Sequence, residues 1–203
     1  ICQSGAFMIT RISDLADVIS PSVAVSVGNQ MDLSVVDFFE FLIDDKNIDC
    51  YGLYIEGLKP GEGLHLMKLL DRARSLGKHT VLYKSGRTKE GADAAKGHTA
   101  AMAGDYGMFS SFTRIAGALV AERSDDFESL MMLGVDLKNI SHLLGKDKIG
   151  VAALSNAGFE KCAMADNFSE HSRGRTKIAA ISDSTRKKLS DILSSIGVSG
   201  LID

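Results

Sequence analysis

The segment Lys96-Gly97-His98-Thr99-Ala100-Ala101-Met102-Ala103-Gly104 sets one imidazole among small residues, with glycine on either side. Small neighbours leave the ring uncrowded and let the backbone bend, so the segment reads as a loop. An imidazole can act as a nucleophile and carry a covalent intermediate when a second group orients it. The carboxylate of Glu56, at the end of the strand-like run Tyr54-Ile55-Glu56-Gly57, is available for that task. A second loop, Lys84-Ser85-Gly86-Arg87-Thr88, precedes the histidine segment. Lys84, Arg87 and Thr99 are candidate contacts for a bound group or for the histidine loop. Taken alone, His98 also fits a plain solvated loop residue, and Lys84 and Arg87 fit surface charges.

Two further segments bear on the histidine. Ile1-Cys2-Gln3-Ser4-Gly5-Ala6 and Val151-Ala152-Ala153-Leu154-Ser155-Asn156-Ala157-Gly158-Phe159 each run from an apolar strand end through a polar, glycine-containing turn into a helical pattern. The free N–H groups of a helix's first turn, aided by the helix dipole, form an anion site. Gln3, Ser4 and Gly5, with Ser155, Asn156, Ala157 and Gly158, are therefore phosphate-binding candidates. A phosphorylated histidine needs donors of this kind.

Alternating elements must position these residues. Stretches 22–27, 50–55 and 79–84 are rich in Val, Leu, Ile and Tyr and read as strands. Between them, apolar residues recur at three and four: Met8, Ile12, Leu15, Ala16 and Ile19, then 33–43, then Leu66, Met67, Leu70 and Ala73. Asp105 is a candidate N-cap for a helix whose apolar positions run from Met108 to Leu119, and 125–137 is another helix with an acidic start. Single helices between strands predict a parallel sheet covered on both faces, with ligands beyond the strands' carboxyl ends. Residues 1–6, 28–30, 56–60, 84–104 and 155–159 would then share one edge. Residues 1–140 form the main domain in this reading, and the polar 141–148 form a linker. A second, partial α/β unit spans 149–203, with strands from Ile149 and over 177–181. Its helices cover 159–170 and 183–196, the latter capped by Ser182 and lined by Leu189, Ile192, Leu193 and Ile196. Both chain ends look cut relative to a self-contained fold.

Composition narrows the classes. The 203 residues are 45% hydrophobic and 24% charged, with 23 basic and 26 acidic side chains for a net charge of -3. That is ordinary for a water-soluble globular chain large enough to bury a core. The charges are mixed, with no basic stripe to suggest a nucleic-acid partner. Cys2, Cys50 and Cys162 match no zinc spacing and no simple disulfide framework, which fits reduced core thiols and a cytoplasmic setting without a bound metal. No apolar run approaches a membrane span. His65, His79, His142 and His171 have no evident partner. Met131-Met132 and the phenylalanines at 38, 39 and 41 read as core packing.

The chain resembles the nucleoside-diphosphate-forming acyl-CoA synthetases, the superfamily of succinyl-CoA synthetase. The matching residues are Gln3-Ser4-Gly5-Ala6, Ser26-Val27-Gly28-Asn29-Gln30, Leu53-Tyr54-Ile55-Glu56-Gly57, Lys84-Ser85-Gly86-Arg87-Thr88, Gly97-His98-Thr99 with Ala103-Gly104, and Ser155-Asn156-Ala157-Gly158. They follow the family's order and cover most of residues 1–160. The resemblance implies a flavodoxin-like doubly wound domain in which His98 is phosphorylated during turnover and Glu56 holds its ring. It also implies that the helices beginning near Ser4 and Asn156 cradle the phosphate. The reaction it implies converts an acyl-CoA, nucleoside diphosphate and phosphate into a carboxylate, CoA and nucleoside triphosphate. It implies CoA, ATP or ADP and magnesium in the complete enzyme, with none held tightly by this chain alone. The partners implied are a CoA-binding Rossmann domain and an ATP-grasp domain or subunit, neither of which is found in this sequence. Association into an oligomer is expected. Many relatives continue the second turn as Gly-Gly-Pro-Gly, whereas this chain has Gly158-Phe159-Glu160-Lys161. Phe159 and Glu160 add bulk and negative charge there. That departure supports an alternative reading, a non-catalytic module of the same ancestry that binds CoA or a protein. A flavodoxin-like domain for a flavin is a third.

Overall fold

The computed structural model describes all residues except 17, 99–104, 138–148, 154, 156, 172–175 and 199–203, with backbone alone at 94–98, 168–171 and 176. The chain divides into two compact units, Ile1–Ile140 and Ser141–Asp203.

In the first unit, β1 (Cys50–Ile55), β2 (His79–Lys84) and β3 (Leu119–Ala121) form a parallel sheet in that order. Cys50 stands opposite His79 and Ile55 opposite Lys84, so β1 and β2 end level. Cys2 bridges Ser26 on one side and Tyr54 on the other, both in parallel. Across the sheet the segments therefore run second, first, third, fourth, fifth, the flavodoxin-like order, with its switch point between Cys2 and β1. The strand expected over 22–27 is reduced to the bridge at Ser26, because Cys2 is the one residue opposite it. Two backbone bonds of 2.9 Å, from Cys2 N to Val25 O and from Val27 N to Cys2 O, hold it there.

Both faces of the sheet are covered. Tyr51, Leu53 and Ile55 alternate onto one face and are buried against α2 (Val35–Leu42) and α3 (Glu62–Ser75). Alternate residues of a strand point to opposite faces, so Cys50, Gly52 and Tyr54 meet the other layer. That layer is built on α1 (Gly5–Asp14) and α6 (Ser124–Leu137), whose Phe7, Phe127 and Met131 pack there. Arg11 on α1 pairs with Glu128 on α6 and ties these helices together.

Two further elements differ from the sequence expectation in this unit. The loop expected around His98 is helical up to that residue: α4 spans Lys89–His98, so the histidine closes a helix. Thr88 starts it, accepting from Gly91 N through its hydroxyl at 3.1 Å and from Ala92 N through its carbonyl at 2.8 Å. The alanine-rich sequence outweighs its glycines. The helix opened by Asp105, α5 (Tyr106–Ile115), stops before Leu119, which instead begins β3. Gly117 takes φ 106° and Ala118 N closes back on Thr113 O at 2.9 Å, a left-handed termination that glycine permits. Phe41, expected in the core, is 80% exposed. His65 has a partner after all, Glu40 at 3.2 Å.

The second unit pairs β4 (Ile149–Val151) with β5 (Thr176–Ile178) in parallel, with Ile149 opposite Thr176, and adds α7 (Gly158–His171) and α8 (Asp183–Ser195). Ser182 caps α8, accepting from Thr185 N at 3.2 Å. β4 and β5 form a sheet of their own, separate from the β1–β3 sheet in hydrogen bonding. None of this unit's described residues is buried. Ile192 and Ile196, expected to line an inner face, are exposed, and so is Cys162. Two strands offer too little surface to cover them.

Candidate functional site

The switch point of the first unit brings the carboxyl ends of three strand segments together. Ser4 caps α1: its hydroxyl accepts from Phe7 N at 3.3 Å. No acidic residue lies in that helix's first turn, so its positive end carries no built-in counter-charge. Cys2 backs the turn, its thiol donating to Ser4 O at 2.8 Å. Burial pushes that thiol above its ordinary value.

Gln3 holds a neighbouring turn. It is buried, and its Oε1 accepts from Glu56 N and, at 3.0 Å, from Gly57 N. Its Nε2 donates to Gly57 O at 2.7 Å. With both ends of the amide engaged, the side chain clamps the Glu56–Gly57 turn. Gln30, unremarked in the sequence beyond its motif, grips the same turn. Its Nε2 donates to Gly57 O at 3.1 Å and its Oε1 accepts from Val35 N at 3.0 Å. It does so from a left-handed backbone at φ 54°.

Lys84 is likewise no surface charge. It is 4% exposed, and its ammonium donates to Glu56 O at 2.7 Å and Ser85 O at 2.8 Å. Burial pulls it below the ordinary lysine range, while the nearby Glu56 carboxylate acts in the opposite sense. The Glu56 backbone is thus held by Gln3 from one neighbouring strand segment and by Lys84 from the other. Its carboxylate accepts from the Tyr54 hydroxyl at 3.1 Å. Tyr54 and Glu56 are two apart and share a face of the strand, a relation legible in the sequence as spacing alone. Beyond β2, Gly86 takes φ 80°, and a Cβ there would lie 3.3 Å from Ala92 Cα. The loop therefore turns tightly onto α4, which runs to His98. Arg87 on this loop is exposed.

The second helix start stands in the other unit. Ser155 Oγ accepts from Ala157 N at 3.0 Å and donates to the Glu160 carboxylate. Glu160 lies in the first turn of α7, so this helix end already carries an anion of its own. Gly158 opens α7, and a Cβ there would meet nothing within 4 Å. Asn156 and Thr99 lie outside the described residues, as does the side chain of His98.

A cavity of about 310 Å³ is lined among others by Phe7, Arg11, Leu15, Cys50, Tyr54 and Met131. It touches neither Ser4 nor Glu56. Among the described residues no three His, Cys, Asp or Glu side chains converge as a metal site requires, and no helix is long and apolar enough to cross a membrane.

Comparison with known proteins gives this geometry a family. A model described as succinyl-CoA ligase like flavodoxin domain matches residues 1–133. An ADP-forming acetate–CoA ligase of Methanocaldococcus jannaschii is 32% identical over 195 residues, covering 95% of this chain and 26% of that protein. The alpha subunit of ADP-forming acetate–CoA ligase I of Pyrococcus furiosus is 31% identical over 178 residues, covering 84% of this chain and 37% of that subunit. The chain thus spans 15% to 40% of the length of the curated relatives it matches. A solved structure from Ca. Korarchaeum cryptofilum, a dinucleotide forming acetyl-coenzyme A synthetase 1 in complex with phosphate and ADP, superposes with a TM-score of 0.68 at 30% identity. That match covers 88% of this chain and 37% of the solved one. The chain belongs to the succinyl-CoA ligase-like flavodoxin domain family, within the nucleoside-diphosphate-forming acyl-CoA synthetases.

Proposed function

We propose that this chain holds the phosphoryl-transfer centre of a synthetase that interconverts acyl-CoA, nucleoside diphosphate and phosphate with carboxylate, CoA and nucleoside triphosphate. His98 is the transient carrier. The observation that supports this best is the meeting, at one switch point, of the positive end of α1, which has no acidic residue in its first turn, with a Glu56 turn clamped from both sides.

The chemistry follows from the residues. A neutral imidazole nitrogen of His98 attacks the phosphorus of an acyl phosphate; the bond from phosphorus to the acyl oxygen breaks and the carboxylate leaves. Glu56 accepts from the far ring nitrogen, fixing the tautomer and stabilising the cationic ring. The first-turn N–H groups of α1, ordered by Ser4, bind the phosphoryl oxygens. Attack by a terminal oxygen of the nucleoside diphosphate then breaks the N–P bond and restores the neutral ring. CoA, nucleotide and magnesium belong to this reaction through partners, a CoA-binding Rossmann domain and an ATP-grasp domain or subunit. Their setting is the cytoplasm.

The test is ATP formation from acetyl-CoA, ADP and phosphate by the assembled enzyme. His98→Ala abolishes it, and Glu56→Gln lowers it by about 100-fold. Full activity in His98→Ala would overturn the reading. One observation favours the second reading, a binding module without catalysis: the Glu160 carboxylate on Ser155 at the start of α7. An enzyme silent in the wild type, yet binding CoA, would support it.

A further inference from the structure

We propose that Tyr54 is a positioning residue for the Glu56 carboxylate, its hydroxyl holding one carboxylate oxygen and leaving the other for the histidine ring. The inference rests on the phosphoryl-carrier reading and adds to it a residue that no sequence motif singles out for this role.

The geometry over-determines where the hydroxyl sits. The Tyr54 ring stacks on Phe7 with centroids 4.4 Å apart and planes inclined by 18°. Tyr83 flanks it at 5.6 Å. Tyr54 is fixed in register, with its N bonded to Ile1 O at 3.0 Å and its O accepting from Gln3 N at 3.2 Å. From this fixed ring the hydroxyl donates to Glu56 Oε1 at 3.1 Å. The clamps from Gln3 and Lys84 end on the Glu56–Gly57 backbone and leave the carboxylate's own rotation free. Among the described hydrogen bonds, Tyr54 supplies the contact that restrains it.

The ionisable neighbours permit this. Those facing the pair are Cys2 on the first segment and Tyr83 and Lys84 on β2, besides Glu56 itself. Burial, and next the Glu56 charge, push the Tyr54 phenol far above its ordinary value. It therefore stays a donor across the working range of pH.

Tyr54→Phe removes the hydroxyl and keeps the ring stack, so the fold has no reason to fail. The measurement is the rate of ³²P transfer from ATP to His98 in the assembled enzyme, with the label mapped to its peptide. Tyr54→Phe is expected to slow labelling by about tenfold, the scale of one hydrogen bond to a charged group, with the KM for ATP unchanged. In a Glu56→Gln background the same change is expected to have no further effect, since Tyr54 acts through the carboxylate. A wild-type rate in Tyr54→Phe, or a loss of equal size in the Glu56→Gln background, overturns the inference while leaving His98 as carrier. Absence of label from the wild-type protein overturns both.

Discussion

The two helix starts that look alike in the sequence differ in what fills them. At α1, Ser4 spends its hydroxyl on the helix's own Phe7 N–H, and no acid lies in the first turn. At α7, Ser155 donates to Glu160, so a side-chain carboxylate already occupies the positive end. Their scaffolds differ as well. α1 rests on a sheet whose Leu53, Ile55 and Leu82 are fully buried, whereas no described residue of the second unit is buried. A small polar turn before a helix is therefore only half of an anion site; an uncompensated first turn on a rigid support is the other half.

The largest expected effect concerns rigidity. Amide hydrogen exchange should be slower in β1 and β2 than in β4, β5 and α8 by on the order of a thousandfold, because exposed, thinly packed elements open locally. Equal protection in the two units would erase the contrast.

Next comes a transplant of charge. Ala6 is exposed in the first turn of α1. Ala6→Glu gives that helix the counter-charge α7 already has, and should slow His98 labelling by about tenfold or more through repulsion of the phosphoryl group. Glu160→Gln, the reverse change, should leave labelling within about twofold and cost roughly 0.5 kcal/mol of helix stabilisation, read by thermal melting. A large loss of labelling in Glu160→Gln with none in Ala6→Glu would invert the assignment.

The thiols sharpen the same contrast. Cys162 is exposed and Cys2 buried, so a maleimide should modify Cys162 first. Burial, aided by Asp49, pushes the Cys50 thiol from 9.0 up to about 11. The folded state thus holds its proton where the unfolded chain has lost it. That contribution is complete below about pH 9 and disappears as the pH rises towards about 11. Cys50→Ala should flatten the fall in stability over this window by at most about 1.4 kcal/mol per pH unit, measured by urea melts.

Local signals carried much of the architecture. Stretches 50–55 and 79–84 are strands, and Asp105 and Ser182 are caps, because period, propensity and side-chain capping act within a few residues. Gly117 held a stop signal that the apolar period through Leu119 obscured. The site was less legible. Gln3 clamps a turn 54 positions away, and Lys84 bonds a carbonyl 28 away. Nothing in local sequence distinguishes such buried clamps from phosphate ligands or surface charges. Only strand adjacency, set by Cys2 lying between Ser26 and Tyr54 and by Lys84 standing opposite Ile55, assigns them.

The central claim is that His98 carries the phosphoryl group, and peptide mapping of the assembled enzyme after incubation with ATP and magnesium tests it most directly. The account predicts an acid-labile, base-stable phosphoryl group on the peptide containing His98, absent from His98→Ala. Label on another residue, or none while ATP demonstrably binds, would contradict it.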